Sequence, residues 1–221
     1  MTASTPAVSS SFVVRAAAPS KLVFVQQPVN AVAGSTLNPV VVDVEDKYGN
    51  VVTGDHSNLT LSFAHGPSGC RFNGVATIRA VNGVATFSNL SLTTAGTYQL
   101  RASDGSLDGA TSNSFTISAG QATQMSFQTR PSNCRHGKSS VAEVVLLDKY
   151  GNVAVSNNSS VTLKLGTHPK NAVLSGTTTV AVINGIATFN NLLFSVAGQY
   201  SLVATDSKGI PSVTSTLFSV A

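Results

Sequence analysis

The chain has 221 residues and a formal net charge of +4, and only 10% of its residues are charged. Ordinary soluble domains carry about 25% charged residues, so a chain in which Ser, Thr, Asn and Gly supply the polarity is typical of extracellular β-proteins. With so few charges, the mildly basic balance does not indicate a nucleic-acid partner, and no apolar run approaches the ~18 residues of a membrane span. We therefore expect neither nucleic-acid binding nor membrane insertion.

The chain is a tandem repeat. The sequence DKYGN occurs at residues 46–50 and again 102 residues later, at residues 148–152. The segments "NGVATFSNL" and "AGTYQLRASD" return at nearly the same shift as "NGIATFNNL" and "AGQYSLVATD". A period of this size is a domain length. We predict an N-terminal extension at residues 1–18, a first domain at residues 19–119 and a second domain at residues 120–221. A short connection at residues 119–124 should restrict the relative motion of the two domains.

The N-terminal extension resembles the end of a repeat. Residues 11–15 align with residues 114–118, so they are predicted to be a closing strand without its domain. Either a preceding repeat left this strand behind, or the strand pairs with a neighbouring molecule as donor strands do. Residues 1–11 lack the charged start and apolar core of a signal peptide. We expect that the chain was cut from a longer one or that its signal was left off.

Alternating apolar residues predict seven half-buried strands in each repeat. In the first repeat the inward-facing residues are Leu22 and Phe24; Val40, Val42 and Val44; Leu59, Leu61 and Phe63; Ile78 and Ala80; Ala85 and Phe87; Tyr98 and Leu100; and Phe115 and Ile117. The second repeat gives the same pattern from Val144 to Val220, and no segment has a helical period. Asn82-Gly83 predicts a two-residue hairpin, because both central residues of such a turn need positive φ.

Two further segments, "AGTYQL" and "AGQYSL", place Tyr98 and Tyr200 two residues before an inward leucine. This pattern resembles the tyrosine corner of immunoglobulin-type sandwiches, in which the phenol bonds to nearby backbone. Together with the DKYGN turn and the "NGxATF" hairpin, it resembles the bacterial immunoglobulin-like repeats of invasin- and intimin-type surface adhesins and, more distantly, the filamin-type repeat. The resemblance implies an all-β chain of two tandem immunoglobulin-like seven-stranded β-sandwiches, stacked as a rod on a cell surface or in a secreted fibre. The chain lacks a distinctive adhesin tip, so no receptor is implied.

Catalytic patterns are missing from the sequence. The four histidines lie in predicted loops at positions that are not equivalent between the repeats: His56, His65, His136 and His168. They form neither a metal-ligand spacing nor a Ser-His-Asp arrangement, and the sequence has no G-x-S-x-G or H-E-x-x-H motif. We therefore expect a protein that is not an enzyme and that uses no cofactor and no metal.

Four carboxylates of the first repeat are candidates for a calcium site, because calcium prefers several oxygen ligands: Asp43, Glu45, Asp46 and Asp104. The first two become Val145 and Leu147 in the second repeat. A solvated strand face is therefore the favoured interpretation. Asp46 and its counterpart Asp148 are expected to bond the backbone of their own turns.

A carbohydrate-binding role is the main alternative. Sugar sites usually rest on exposed aromatic rings, and this chain has no Trp and four Tyr. With two tyrosines assigned to corners, only Tyr48 and Tyr150 remain as a platform, and as turn residues they are expected instead to cover the end of the sandwich. A basic cluster could instead bind an acidic polysaccharide, although such clusters are more often solvated loops: Arg130, Arg135, His136 and Lys138.

Cys70 and Cys134 are the only cysteines and are not equivalent between the repeats. Cys70 is predicted at the end of the first domain that faces the second, and Cys134 at the far end of the second. A bridge between them is not expected, because the Cα atoms of a disulfide lie within about 7 Å. Free buried thiols and an intermolecular disulfide both remain open.

Four N-glycosylation sequons begin at Asn58, Asn89, Asn157 and Asn158. The short pattern also arises by chance in chains rich in Ser and Thr. Asn157 and Asn158, in a predicted loop, are the best candidates.

The second repeat carries apolar residues at four positions where the first has polar ones on its predicted outer face: Val145, Leu147, Leu193 and Val196. A joined apolar patch on a sandwich surface usually marks a contact. We hypothesise that this patch docks another chain, or the N-terminal strand through Phe12 and Val14. The alternative is that local loops cover these residues.

These observations predict a non-catalytic structural or adhesive tandem repeat of a secreted or cell-surface protein, with assembly into a filament as a further hypothesis. The expected partners are other copies of the chain or neighbouring repeats of a longer chain, with polysaccharide as a further candidate. The alternative function is a carbohydrate-binding accessory module of a secreted enzyme.

Overall fold

The computed structural model describes residues 8–132 and 134–221, and all regular secondary structure in these ranges is β-strand. No helix within them could cross a membrane. Residues 1–7 of the predicted N-terminal extension lie outside the described residues. The predicted all-β class is confirmed.

The first sandwich packs a three-stranded sheet, in the order β1-β3-β6, against a second sheet in the order β2-β9-β7-β4-β5, in which β8 also pairs with β7. Only the β2–β9 pairing is parallel. The strands are β1 (Pro19–Gln26), β2 (Ala31–Val32), β3 (Val40–Asp46), β4 (Asn58–His65), β5 (Thr77–Arg79), β6 (Val84–Phe87), β7 (Gly96–Ser103), β8 (Ala110–Thr111) and β9 (Phe115–Ser118).

The second sandwich repeats this plan, with one sheet in the order β10-β11-β15-β13 and strands β14-β12-β17-β18 and β16-β19 opposite it. Its strands are β10 (Gln124–Thr129), β11 (Ser140–Leu147), β12 (Ser160–Leu165), β13 (Leu174–Ser175), β14 (Thr179–Ala181), β15 (Ile186–Phe194), β16 (Gly198–Tyr200), β17 (Leu202–Asp206), β18 (Val213–Thr214) and β19 (Phe218–Val220).

The seven predicted strands of each repeat are present, together with two-residue strands that the alternation could not reveal. One predicted strand of the second repeat is interrupted at Ser201, between β16 and β17. There the Ser201 hydroxyl accepts the N–H of Thr167 at 2.8 Å, and the Ser201 N–H donates to the Thr167 carbonyl at 2.9 Å. Ser201 is therefore held by a neighbouring loop instead of the strand ladder.

The hairpin between β5 and β6 and the equivalent hairpin between β14 and β15 each have positive φ at two successive residues. The φ angles are 53° and 77° at Asn82 and Gly83, and 50° and 79° at Asn184 and Gly185. This is the conformation that a two-residue type I′ turn requires, so the predicted hairpin is confirmed.

The buried side chains form two separate clusters, one in each sandwich. The first extends from Leu22 to Ile117, and the second from Met125 to Val220. Most of the predicted inward residues are fully buried; those near strand ends are half-buried, namely Phe63, Ile78, Phe127, Leu165 and Val180. Each sandwich thus has a hydrophobic core of its own.

Both tyrosine corners are confirmed. The Tyr98 hydroxyl donates to the Thr94 carbonyl at 2.7 Å, and the Tyr200 hydroxyl donates to the Val196 carbonyl at 2.7 Å. Both rings are buried, and burial, the largest influence, raises the pKa of both phenols.

Replacing Tyr200 with phenylalanine is expected to lower the free energy of unfolding by about 1 kcal/mol, because the buried hydrogen bond to Val196 is lost while the ring remains. Urea unfolding followed by circular dichroism measures the change. Tyr48→Phe, at an exposed ring, is the control and should alter stability by less than about 0.5 kcal/mol. Equal changes in the two variants would contradict the role of the corner.

Each sandwich has two ends, which we call head and tail. The head is the DKYGN turn, at residues 46–50 or 148–152. The tail consists of two loops, at residues 31–36 and 93–96 in the first sandwich and at residues 134–139 and 195–198 in the second. Head and tail lie at opposite ends of β3, whose seven residues span roughly 23 Å.

Candidate functional site: the joint between the sandwiches

The head turn of the second sandwich is organised by one carboxylate. Asp148 Oδ1 accepts the N–H groups of Tyr150 and Asn152 at 2.8 and 2.9 Å, and the Asn152 side-chain amide donates to Asp148 Oδ2 at 2.9 Å. Asp46 bonds its own turn in the same way, through Tyr48 and Asn50. The predicted role of both aspartates in the turn backbone is confirmed.

The same carboxylate also holds the connection between the repeats. The Gly120 N–H donates to Asp148 Oδ2 at 2.9 Å, and the Gln124 side-chain amide donates to the Asp148 carbonyl at 2.7 Å. The Thr123 N–H bonds the Leu147 carbonyl at 2.8 Å. The connection is therefore fixed to the head of the second sandwich.

Asn152 joins the head of the second sandwich to the tail of the first. Its side-chain NH₂ donates to the Thr93 carbonyl at 2.8 Å, and its Oδ1 accepts the Ala95 N–H at 2.8 Å. Both groups of one amide thus bond a single loop of the other sandwich. An amide bonded on both sides fixes the rotation of one sandwich about the other as well as its distance.

Tyr150 packs against the other tail loop of the first sandwich. Gly34 has a φ of 80°, and a Cβ atom placed on it would overlap the Tyr150 phenol. The Lys149 ammonium lies 4.8 Å from the centre of the Tyr150 ring, which is within cation–π range. Position 34 therefore requires glycine for two reasons: its backbone has a positive φ, and a side chain there would overlap the Tyr150 ring.

Hydrogen bonds lower the pKa of the aspartate in each head turn. The Asn50 side-chain hydrogen bond is the main reason that the pKa of Asp46 lies far below the ordinary range, and N–H groups of Asn50, Ala17 and Tyr48 add to it. Burial acts to raise the pKa of Asp148, but hydrogen bonds from Asn152, Gly120 and Tyr150 outweigh it, so this pKa is also lowered.

Stability is therefore expected to fall in acid. A carboxyl whose folded pKa lies below its unfolded value contributes stability above the unfolded pKa, which is about 3.9 for Asp. That stability is lost as the pH falls from there through the folded pKa. Urea unfolding between pH 6 and pH 2 measures the slope, which should be smaller in Asp148→Asn. An Asp148 carboxyl that titrates at its ordinary value in ¹³C NMR would contradict this.

The joint offers hydrogen bonding and packing but no catalytic group. Its contacts involve amides, backbone, a phenol and an ionised carboxylate that already accepts four hydrogen bonds. Across the ranges that the structure describes, no three His, Cys, Asp or Glu side chains gather where they could hold a metal ion. The carboxylates weighed for calcium do not converge: Glu45 pairs with Lys21 at 3.3 Å, and Asp104 bonds its own turn at Ser106 and Leu107.

Asp43 differs from the predicted solvated strand face. Its side chain is half-buried, and Oδ1 has no hydrogen-bond partner within the described residues. Burial, with a further contribution from the charge of Glu45, raises the pKa of Asp43. Val145 occupies the equivalent position in the second sandwich without that cost.

The predicted apolar patch is not a joined surface, and this expectation is corrected. Val145 is only 8% exposed, Leu147 and Leu193 are half-buried, and Val196 is 37% exposed. Val145 pairs with Ile186 at one end of β15, whereas Leu193 lies seven residues further along that strand, roughly 23 Å away. Alignment of the two repeats indicates which positions point outward, but it does not show that these positions lie at opposite ends of one sheet.

The N-terminal strand does not dock on the second sandwich. Residues 11–15 pair with no strand in the described ranges, and Phe12 and Val14 are 81% and 83% exposed. This segment instead runs beside residues 50–54 at the head of the first sandwich. The second sandwich contacts the opposite end, so Phe12 and Val14 cannot reach Val145 within one chain.

The tyrosines considered for sugar binding lie at the heads of successive sandwiches. Tyr150 is 39% exposed and belongs to the joint, whereas Tyr48 is 73% exposed. Because a sandwich length separates them, they do not form one platform. The basic cluster lies together at the tail of the second sandwich, around two adjoining hollows that are lined by Arg130, Arg135 and Lys138.

Both cysteines are free thiols in the described ranges. Cys134 is buried beside the last strand of the second sandwich, where its carbonyl accepts the N–H of Ala221 at 2.9 Å. Cys70 is half-buried near Tyr98, and burial raises the pKa of its thiol. A half-buried thiol of raised pKa such as that of Cys70 is less reactive than a free one, and the intermolecular disulfide remains a prediction.

The sequon asparagines differ in accessibility. Asn58, Asn89 and Asn158 are exposed, while Asn157 is half-buried because its side chain accepts the N–H and hydroxyl of Ser159. Asn158 contacts the Lys208 ammonium at the surface. Their glycosylation remains a prediction, with Asn158 in the better position of the two loop residues.

The sequence predicted that Tyr150 covers the end of its sandwich, but it did not indicate that Asn152 bonds the other sandwich. The turn uses the aspartate, a glycine with positive φ and the asparagine that bonds the aspartate, yet Lys and Tyr are also identical in the two repeats. Nearby outward positions changed from Asp43 and Glu45 to Val145 and Leu147 over the same span. Identity beyond what the turn requires was the available signal of a contact.

Comparison with protein-family models and with curated protein sequences found no match. Among solved structures, the chain is similar to the Escherichia coli adhesin FdeC, at 17% identity and a TM-score of 0.45 over 94% of this chain and 67% of the adhesin chain. It is similar to the D00-D0 domain of intimin, at 15% identity and a TM-score of 0.45 over 91% and 98% of the two chains. It is also similar to a β-glycosidase from Bacteroides vulgatus, at 11% identity and a TM-score of 0.41, where it spans 92% of this chain but only 25% of the glycosidase.

Adhesin domains of the type that the sequence motifs resemble are thus among the similar structures. At these identities the likeness concerns the fold, and it assigns no activity, substrate or partner.

Proposed function

We propose that the chain is a non-catalytic structural unit in which two immunoglobulin-like sandwiches are held end to end, as an adhesive or spacer repeat of a secreted or cell-surface protein. The observation that carries this proposal is the Asn152 amide, which bonds both Thr93 and Ala95 of the first sandwich. A connection tied to Asp148 and a tyrosine packed on Gly34 support it. Rigid spacing needs such a joint, whereas flexibly tethered domains do not.

Small-angle X-ray scattering and interdomain residual dipolar couplings test the proposal. The wild-type chain should behave as one elongated body with a single orientation between the sandwiches. The double variant Asn152→Ala, Tyr150→Ala should keep two folded sandwiches but sample a wider range of orientations. A wild-type chain that is as variable as this double variant would refute the spacer role.

The partners in this proposal are neighbouring repeats of a longer chain or other copies of this one, and assembly into a filament is part of it. Light scattering and negative-stain microscopy, with and without residues 1–15 and with and without reductant, test assembly. Ordered polymers that need residues 1–15 would support a filament. A monomer under all conditions would restrict the chain to a spacer.

A carbohydrate-binding accessory module is the second candidate, favoured by the exposed ring of Tyr48. A glycan array with the wild-type chain and Tyr48→Ala separates the two functions. Binding that is lost in the variant would support the module. Absence of binding in both proteins leaves the structural role.

A further inference from the structure

The head of the first sandwich has the same geometry as the head that forms the joint. Asp46 Oδ1 accepts the N–H groups of Tyr48 and Asn50, both at 2.9 Å, and the Asn50 amide donates to Oδ2 at 3.0 Å. The Lys47 ammonium lies 4.8 Å from the Tyr48 ring centre, the same distance as for Lys149 and Tyr150.

The chain that enters the first sandwich also follows the path of the connection. The Ala17 N–H donates to Asp46 Oδ2 at 2.8 Å, as the Gly120 N–H does to Asp148 at 2.9 Å. Ala17 precedes the first inward residue Leu22 by the same number of positions as Gly120 precedes Met125. Ala17 is therefore held on its head turn as Gly120 is held in the joint.

The two heads differ in what covers them. Asn152 is half-buried and Tyr150 is 39% exposed against the first sandwich, whereas Asn50 is exposed and Tyr48 is 73% exposed. The Asn50 amide and the Tyr48 ring are already held by the same contacts within their turn as their counterparts. A preorganised face of this kind avoids the ordering cost of binding.

From these observations we propose that the head of the first sandwich docks the tail of a preceding immunoglobulin-like repeat of a longer chain, whose last strand is residues 11–15. That tail carries a glycine opposite Tyr48 and a backbone loop that bonds Asn50. The inference deepens the proposed spacer function and rests on it.

The exposed segment 11–15 supports this occupant. Phe12 and Val14 align with Phe115 and Ile117, which are buried in the core of the first sandwich. In a preceding repeat, the same two positions would face the core between its sheets. The assignment gives the exposed phenylalanine and valine the environment that their counterparts have.

A second copy of this chain fits the same face less well. The tail loop of the second sandwich replaces Val32, Ala33 and Ser35 with charged or titratable residues: Arg135, His136 and Lys138. In the joint, Lys149 and Ala33 line one small cavity of about 190 Å³. A second copy would place Lys47 beside this basic loop, and like charges in close contact disfavour docking.

The test uses a fusion chain in which residues 1–118 are followed directly by residues 16–221. The fusion chain therefore has an added copy of the first sandwich before the original one, and the last strand of the added copy takes the place of residues 11–15. Segmental ¹⁵N labelling of the added copy alone identifies its Ala95 amide. Hydrogen exchange at this amide should be slowed about tenfold relative to the same chain with Asn50→Ala in the original first sandwich. Gly34→Ala in the added copy removes the required glycine from its tail. This variant should also lose the slow hydrogen exchange at the Ala95 amide.

The joint between the two original sandwiches serves as an internal reference that separates the docking proposal from the proposed spacer function. Fast exchange at Ala95 of the added copy, with the natural joint protected, would overturn the docking face and leave the spacer role. Fast exchange at both joints would overturn both. Self-association of the 221-residue chain that Tyr48→Ala abolishes, seen by light scattering, would show that the occupant is a second copy and would overturn the assigned one.

Discussion

Replacing Asp148 with alanine is expected to lower the free energy of unfolding of the second sandwich by about 3 kcal/mol. The carboxylate accepts four hydrogen bonds: from the N–H groups of Gly120, Tyr150 and Asn152 and from the Asn152 side chain. A hydrogen bond to a charged group contributes about 1.5 to 3 kcal/mol. Water can replace part of this at a surface turn, so the loss should be smaller than the sum.

Asp104→Ala is the matched control for this variant. Asp104 also organises a turn, through the N–H groups of Ser106 and Leu107 at 2.9 and 2.8 Å, but it holds no connection between sandwiches. We expect a loss of about 1 kcal/mol there. Hydrogen exchange of core amides in increasing urea measures each sandwich separately. Equal losses at the two aspartates would contradict a special role for Asp148.

The Asp148 variant should also loosen the joint. The Asn152 amide is oriented by Asp148 before it reaches Thr93 and Ala95. Without the carboxylate, Asn152 can rotate, and two contacts across the joint become weaker. Asp148 therefore contributes both to the stability of its turn and to the geometry between the two sandwiches.

The fold was readable from the sequence because each of its signals is local. Alternation at Val40, Val42 and Val44 places one face of a strand inward whatever lies opposite it. Asn82-Gly83 specifies a hairpin through its own φ angles, and the tyrosine corner bonds a carbonyl only four residues away. Repetition of each signal about a hundred residues later made each prediction testable against a second copy.

The joint was not readable in the same way, because its contacts cross long stretches of chain. Asn152 bonds Thr93 and Ala95, which lie 59 and 57 residues earlier, and no local pattern specifies that pairing. The apolar patch failed for a related reason. Outward positions such as Val145 and Leu193 share a sheet face, but only the strand register shows that they lie at its two ends.

The head and tail also explain which sequence differences a tandem repeat tolerates. The tail of the first sandwich must fit a tyrosine and a lysine, so its loop is small and neutral around Ala33 and Gly34. The tail of the second sandwich is basic around Gly137. The two tails therefore differ in charge, whereas the two heads share the same five residues.

The glycines of these two tails allow a test of the joint that separates contact from backbone strain. Gly34 and Gly137 have φ angles of 80° and 71°, so alanine at either position should cost a similar 1 to 2 kcal/mol, roughly, in backbone strain. Only Gly34→Ala also drives a Cβ atom into Tyr150, because no described residue lies within 4 Å of a Cβ on Gly137. We expect Gly34→Ala to cost about 1 to 3 kcal/mol more.

The joint itself should report the difference. In Gly34→Ala, displacement of Tyr150 should free the Ala95 amide from Asn152, which hydrogen exchange detects, and should widen the range of interdomain orientations in residual dipolar couplings. Gly137→Ala should leave both measurements unchanged while lowering the stability of the second sandwich. If the two variants loosened the joint equally, the effect would come from backbone strain, and packing of Tyr150 on Gly34 would not hold the sandwiches together. A joint lost only in Gly34→Ala would instead place the control of interdomain geometry in the contact between one ring and one glycine.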